Sequence, residues 1–216
     1  ALHMPSHIFA RLGLWHDDIR SNLASRAAAE KPGIGGENLL HAFEFLEYAY
    51  LQTGQYDEAH AIVTDARAVQ SADVHYPEYF LTVQARFPAL FAIEAQDWAM
   101  AAKLEPVAGA HWFSHAHTLL ANAMAAGHLR DADAGRKIGE TLNQLMTSLP
   151  RKIPPATSSA HLRDEIQAWV AFSQRDSEQA LRLLRPIAER QAKSGKGEVE
   201  LPAREMLADM LLLDGK

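Results

Sequence analysis

Histidine stands out as a source of chemistry in this chain, with 11 copies in 216 residues. His3 and His7 lie four apart, so on a helix they share one face, as paired imidazoles that hold zinc do. The pair lacks the Glu that follows the first His in the zinc-hydrolase helix. Pro5 between them leaves the helix start open, and with it the facing of His3. A second group, His111, His115 and His117, is spaced by four and two. On a helix His115 and His117 diverge by roughly 200°, so only His111 with His115 makes a sensible pair, and capping or packing is the simpler role. His16, His60, His75, His128 and His161 fall near turns or helix ends and read as solvated.

Other catalytic patterns are missing. There is no Gly-X-Ser-X-Gly elbow and no cysteine. Gly33-Ile34-Gly35-Gly36 follows a helical stretch rather than a strand, so it reads as a linker, not a phosphate loop. The pairs Asp17-Asp18, Asp57-Glu58 and Asp164-Glu165 sit in first turns of helices, where they complement the helix dipole. No cofactor is expected.

Composition narrows the partners. A formal charge of −6 argues against nucleic acid, because phosphate binding needs a basic surface. No apolar run approaches the ~18 residues of a membrane span. The missing cysteines exclude disulfides and thiolate metal sites and leave the compartment undetermined, with cytoplasmic as the default. The chain starts at Ala1-Leu2-His3-Met4 and ends at Leu213-Asp214-Gly215-Lys216, and it reads as a piece of a longer protein.

The elements that position these residues are all helical, because apolar residues recur at helical spacing and no stretch alternates like a strand. The pattern predicts helix pairs at roughly 4–13 with 16–30, 37–53 with 56–71, 77–95 with 97–105, 111–126 with 129–148, and 157–174 with 176–194, then a lone helix near 201–213. Breakers fall at Lys31 to Gly36, Pro150 to Pro155 and Ser194 to Gly197. Pro88 sits inside a predicted helix and should kink or break it near Phe87. A Gly-X-aromatic-X-X-small pattern recurs at Gly13 to Asp18, Gly54 to Ala59 and Gln96 to Ala101. Weaker copies run from Gly127 to Ala132 and from Arg175 to Ala180. Repetition of this kind signifies stacked units that bury one face against a neighbour.

On these residues the chain resembles the tetratricopeptide repeat family over essentially its whole length. In the second unit Phe43, Leu46 and Tyr50 match the first helix, and Gly54, Tyr56, Ala59 and Ala66 match the turn and second helix. Ala59, Ala101, Ala132 and Ala180 fit the small position where paired helices cross closely. Asp18 departs from it, and Glu47 replaces a small residue on the facing helix. Trp15, Tyr56 and Trp98 would be core anchors. The anchors Trp15, Tyr56, Trp98, Leu129 and Ser177 are 41, 42, 31 and 48 residues apart, against 34 for the family. Leu2 to Phe9 and Leu46 to Gly54 look like a subgroup of bacterial repeat proteins. Leu201 to Asp209 looks like the first helix of its closing repeat, whose Leu207 and Leu211 would leave an apolar edge for association between copies.

The resemblance implies one right-handed α-solenoid over residues 1–216, about five helix pairs plus one terminal helix. Its register lines a concave groove with His3, His7, His41, Glu44, Tyr48, Gln52, Arg86, His117, Glu165 and Trp169, then Glu205 and Asp209, with Arg11 and Arg86 orienting a ligand. The carboxylate clamp of chaperone-binding members is absent, because its positions read His3, His7, Phe45, Val83 and Phe87. The implied function is a non-catalytic scaffold that binds a peptide, a protein partner or a small ligand in the groove. The alternative is a metal-binding enzyme or sensor, with His41 and Glu44 completing a set begun by His3 and His7. A spacer, its groove filled by its own chain or a second copy, is the third reading.

Overall fold

The computed structural model describes residues 2–31, 36–70, 73–110, 112–148, 159–195 and 197–216. The linker at residues 32–35, the breaker at 150–155, His111 and Lys196 lie outside the described residues. The described residues are all-helical, without a strand. In chain order the helices are α1 (Ser6–Leu12), α2 (Trp15–Ala29), α3 (Gly36–Gln52), α4 (Tyr56–Ala68), α5 (Pro77–Glu94) and α6 (Trp98–Ala101). Then come α7 (Trp112–His128), α8 (Ala132–Ser148), α9 (Ser159–Ser173), α10 (Ser177–Ser194) and α11 (Ala203–Leu213).

One turn, used five times, makes the hairpins. Gly13, Gly54, Gln96, Arg130 and Arg175 each adopt a left-handed backbone with φ between +54° and +72°. The next residue then donates its amide to a carbonyl five positions back. These bonds are Leu14 to Phe9, Gln55 to Tyr50, Asp97 to Ala92, Asp131 to Ala126 and Asp176 to Ala171, at 2.9–3.0 Å. Such a turn satisfies carbonyls left over at a helix end and reverses the chain within three residues.

Five positions after each left-handed residue, the second helix crosses the first. Asp18, Ala59, Ala101 and Ala180 there are fully buried. In the fourth hairpin the buried residue is Gly135, while the expected Ala132 is exposed. The reason is that Gly127 is not a turn glycine. It lies inside α7, where an added Cβ would stand 2.6 Å from the Trp169 ring, so it exists to admit that ring. Gly135 is equally confined, because a Cβ would lie 1.9 Å from Ser173 Oγ. Tyr56, expected as a core anchor, is 47% exposed, whereas Trp15 and Trp98 are half-buried against the core.

The first helices pack in a row, α1 on α3, α3 on α5, α5 on α7 and α7 on α9, and each second helix packs on the first helix of its own hairpin and on that of the next. Phe43, Phe45 and Phe87 fill the N-terminal half of the core, and Trp169 and Phe172 the C-terminal half. Each such ring contributes ~2–3 kcal/mol on burial. α5 joins the halves, with Val83 and Phe87 on one side and Ala92 and Ile93 on the other. It runs unbroken through Pro88, contrary to the expected break. Pro88 and its neighbours Phe87 and Ala89 are buried, and that packing keeps the helix continuous across the missing donor.

Between α10 and α11, residues 197–202 form a strap that runs back to the N-terminal half. Val199 joins the core of that half, and Leu201 packs on the core of the other.

Candidate functional site

Two groups of residues meet on the row of first helices, and the strap lies over both. The first is imidazole. His3, from the bend just before α1, His7, from the first turn of α1, and His41, from α3, sit on one buried ring. Phe45 is 4.7 Å from His3, 5.0 Å from His7 and 5.5 Å from His41 between ring centroids. Each histidine can present one nitrogen so that all three lie within 4.8 Å of one another. His3 Nε2 and His7 Nε2 are 3.1 Å apart.

The outer nitrogens face oxygen. His3 Nδ1 meets Asn22 Oδ1 at 2.8 Å. Asn22 is itself fixed, since its amide nitrogen donates to Asp18 Oδ1 and to Ser6 Oγ, both at 2.7 Å, so its oxygen must point at His3. His41 Nδ1 meets Glu44 Oε2 at 2.9 Å. His7 Nδ1 lies 3.6 Å from Glu198 Oε2 on the strap, and Arg11 holds the other Glu198 oxygen at 2.6 Å. Asp18, where the other hairpins have Ala or Gly, therefore begins a buried polar chain that ends on His3.

Charge in this group is set by burial and pairing. Burial pushes the Glu44 carboxyl up, but the Arg86 guanidinium at 2.6 Å, His41 and the Tyr79 hydroxyl outweigh it and hold Glu44 below its ordinary range. Burial lowers His3, opposed by its bond to Asn22 and reinforced by His41 and His7. Burial pushes Asp18 up to about 7 despite its bonds from Ser6 and Asn22.

The second group is a cavity of about 60 Å³ between α5, α7, α9 and α10, closed by Val199, Glu200 and Leu201 of the strap. Leu90, Ile93, Phe113, Leu120 and Leu162 make its walls, and Arg86, His117, Glu165 and Gln191 supply polar atoms. Arg86 donates one nitrogen to Glu44 and the other to the Val199 carbonyl at 2.6 Å, so one side chain joins the imidazole group, the cavity and the strap. Tyr48 donates its hydroxyl to the Glu200 carbonyl at 3.2 Å. Burial pushes Glu165 up to about 8, helped by Glu200 and Asp164, so it is largely protonated at neutral pH. Burial and Arg86 lower His117 to about 3, and its Nε2 has no hydrogen-bond partner.

Of the residues expected in the groove, His3, His7, Arg11, His41, Glu44, Tyr48, Arg86, His117 and Glu165 come together around the strap. Gln52 stands apart, bonded to Glu94 on α5. Trp169 is not on this face. It is fully buried against Gly127 and Phe172, because α7 presents no Cβ there. His128, expected in solvent, stacks on Trp98 at 3.7 Å and meets Asp209 Oδ2 at 2.7 Å, tying α11 to α7. His115 Nε2 donates to the Ala110 carbonyl just before α7, which tethers the helix start without capping a backbone amide. Asn22, Tyr79 and the strap residues Glu198 to Leu201 were not foreseen. Asp18 at a small position was the one available signal for Asn22, and the strap carries none.

No helix among the described residues is long and apolar enough to cross a membrane. Compared with protein-family models, curated proteins and solved structures, the chain matches none.

Proposed function

We propose that this chain is a tetratricopeptide-like α-solenoid and that its concave face binds a small ligand without catalysing a reaction. The five recurrent left-handed turns, the small residues at the helix crossings and the packing of each hairpin on the next support the architecture. The observation that carries the ligand reading is the strap over the cavity. A peptide running along the groove would compete with residues 197–202 for Tyr48 and Arg86, whereas the cavity of about 60 Å³ beneath them admits a ligand of a few non-hydrogen atoms. The walls are apolar and the polar groups few, which suits a compact, mainly apolar ligand with one polar head. Neutral His117 and protonated Glu165 can donate hydrogen bonds to that head, and Arg86 supplies positive charge beside it.

Thermal-shift titration with a panel of short amides, alcohols and carboxylic acids tests this, beside a cavity-filling Leu90→Trp variant. A compound that raises the Tm of the wild type and not of the filled variant supports the reading. A panel without effect on the wild type, or with equal effect on both, overturns it.

A further inference from the structure

Histidines at neutral pH carry one proton on one ring nitrogen, and the partner of the outer nitrogen decides which. His3 Nδ1 faces an amide oxygen whose orientation Asp18 and Ser6 fix, so His3 keeps its proton there. His41 Nδ1 faces a carboxylate that Arg86 keeps ionised, so His41 does the same. Glu198 beside His7 Nδ1 draws the third proton to the same side. The lone pairs of His3 Nε2 and His7 Nε2 then oppose each other at 3.1 Å. A hydrogen bond between the two rings needs a proton on His7 Nε2, which either turns the His7 Nδ1 lone pair against Glu198 or puts a second proton on that ring. A cation between the rings removes the conflict.

We infer that His3, His7 and His41 together hold one divalent transition-metal ion, zinc being the best match to the ligand set. Tetrahedral zinc with Zn–N near 2.0–2.1 Å places its ligand nitrogens ~3.3–3.4 Å apart, and the His3–His7 separation of 3.1 Å is already close. The widest separation in the set, at most 4.8 Å, closes by small side-chain rotations, for which the partly exposed His7 and His41 have room. Three imidazoles without thiolate suit zinc, copper or nickel over magnesium or calcium. Asn22, Glu44 and Glu198 supply the oxygen partners that orient imidazole ligands and raise their basicity. Two of them, Glu44 and Glu198, are carboxylates that offset the charge of the ion. The partial exposure of His7 and His41 leaves the fourth position to water. Asp18 acquires a reason as well: the other hairpins have Ala or Gly at this crossing, and an alanine here would release Asn22 and with it the His3 tautomer. None of the three ligands lines the cavity, and Arg86, the one group that serves both, reaches the metal site only through Glu44, so the site stands or falls separately from the ligand reading.

The test is calorimetric titration of the chelator-treated chain with zinc, beside His7→Ala, His41→Gln and, as a control, His16→Ala on the exposed start of α2. One zinc per chain at micromolar Kd or tighter is expected for the wild type and for His16→Ala, with at least a 100-fold loss in His7→Ala and His41→Gln. Cobalt(II) loaded on the wild type reads the geometry without any variant, through the intense visible bands of a four-coordinate nitrogen site. Absent binding, the pale spectrum of six-coordinate cobalt, or affinity unchanged in folded His7→Ala and His41→Gln would overturn the site. Leu90→Trp should bind zinc as the wild type does, so a failed cavity and a failed metal site give different results.

Discussion

Arg86 and Glu44 form a buried ion pair between α5 and α3, with guanidinium and carboxylate at 2.6 Å and side chains 17% and 8% exposed. The pair fixes the acceptor for His41, while the second Arg86 nitrogen holds the strap. Breaking such a pair from one side leaves a buried charge without its partner. Arg86→Met should therefore lose about 3–5 kcal/mol of unfolding free energy, and Arg86→Met with Glu44→Gln should recover part of that. Urea denaturation of the two variants checks the expectation, and equal losses in both would show that the pair is not the cause.

Glu165 and Asp18 should make the protein less stable as pH rises. Both have folded values, about 8 and about 7, above their ordinary ones, so between about pH 4 and pH 8 the folded chain holds protons that the unfolded chain has released. Stability present at low pH is lost across that window, at a limit of ~1.4 kcal/mol per pH unit per group. Glu165→Gln should flatten the profile between about pH 5 and pH 8, read from the urea midpoint at a series of pH values with chelator present. An unchanged slope would mean that Glu165 ionises without cost.

Glu47 is fully buried on α3, and neither carboxyl oxygen has a hydrogen-bond partner. Burial pushes its carboxyl well above the ordinary range, with Glu44 and Glu94 adding to the effect and Arg86 opposing it. An unsatisfied buried acid costs ~1–3 kcal/mol, so Glu47→Met should raise stability by about that much at pH 8 and by less at pH 5. Thermal unfolding at the two pH values provides the comparison.

Gly127→Ala and Gly135→Ala should each cost at least ~1–3 kcal/mol, because the new methyl would overlap Trp169 or Ser173 in a packed crossing. Arg175→Gly should instead stabilise by ~0.5–1 kcal/mol, since a non-glycine residue at φ +67° carries strain that glycine lacks. Chemical denaturation separates the two signs.

Local features of this chain were legible in its residues. Helical periodicity predicted five hairpins and a last helix, and Gly13, Gly54, Ala59, Ala101 and Ala180 marked turns and crossings, because a turn and the crossing beside it depend on residues within about one helical turn. Gly127 misled for a physical reason: glycine serves both left-handed turns and close packing, and only the position of Trp169 tells which. The clustering of His3 and His7 could be read from a spacing of four, but their tautomers depend on Asn22 and on Glu198, the latter 191 residues from His7 in sequence. The strap was beyond sequence reading for the same reason. Residues 197–202 carry no helical period, and their place is set by the Val199 and Glu200 carbonyls meeting Arg86 and Tyr48, contacts that exist only once α3, α5 and α10 have packed.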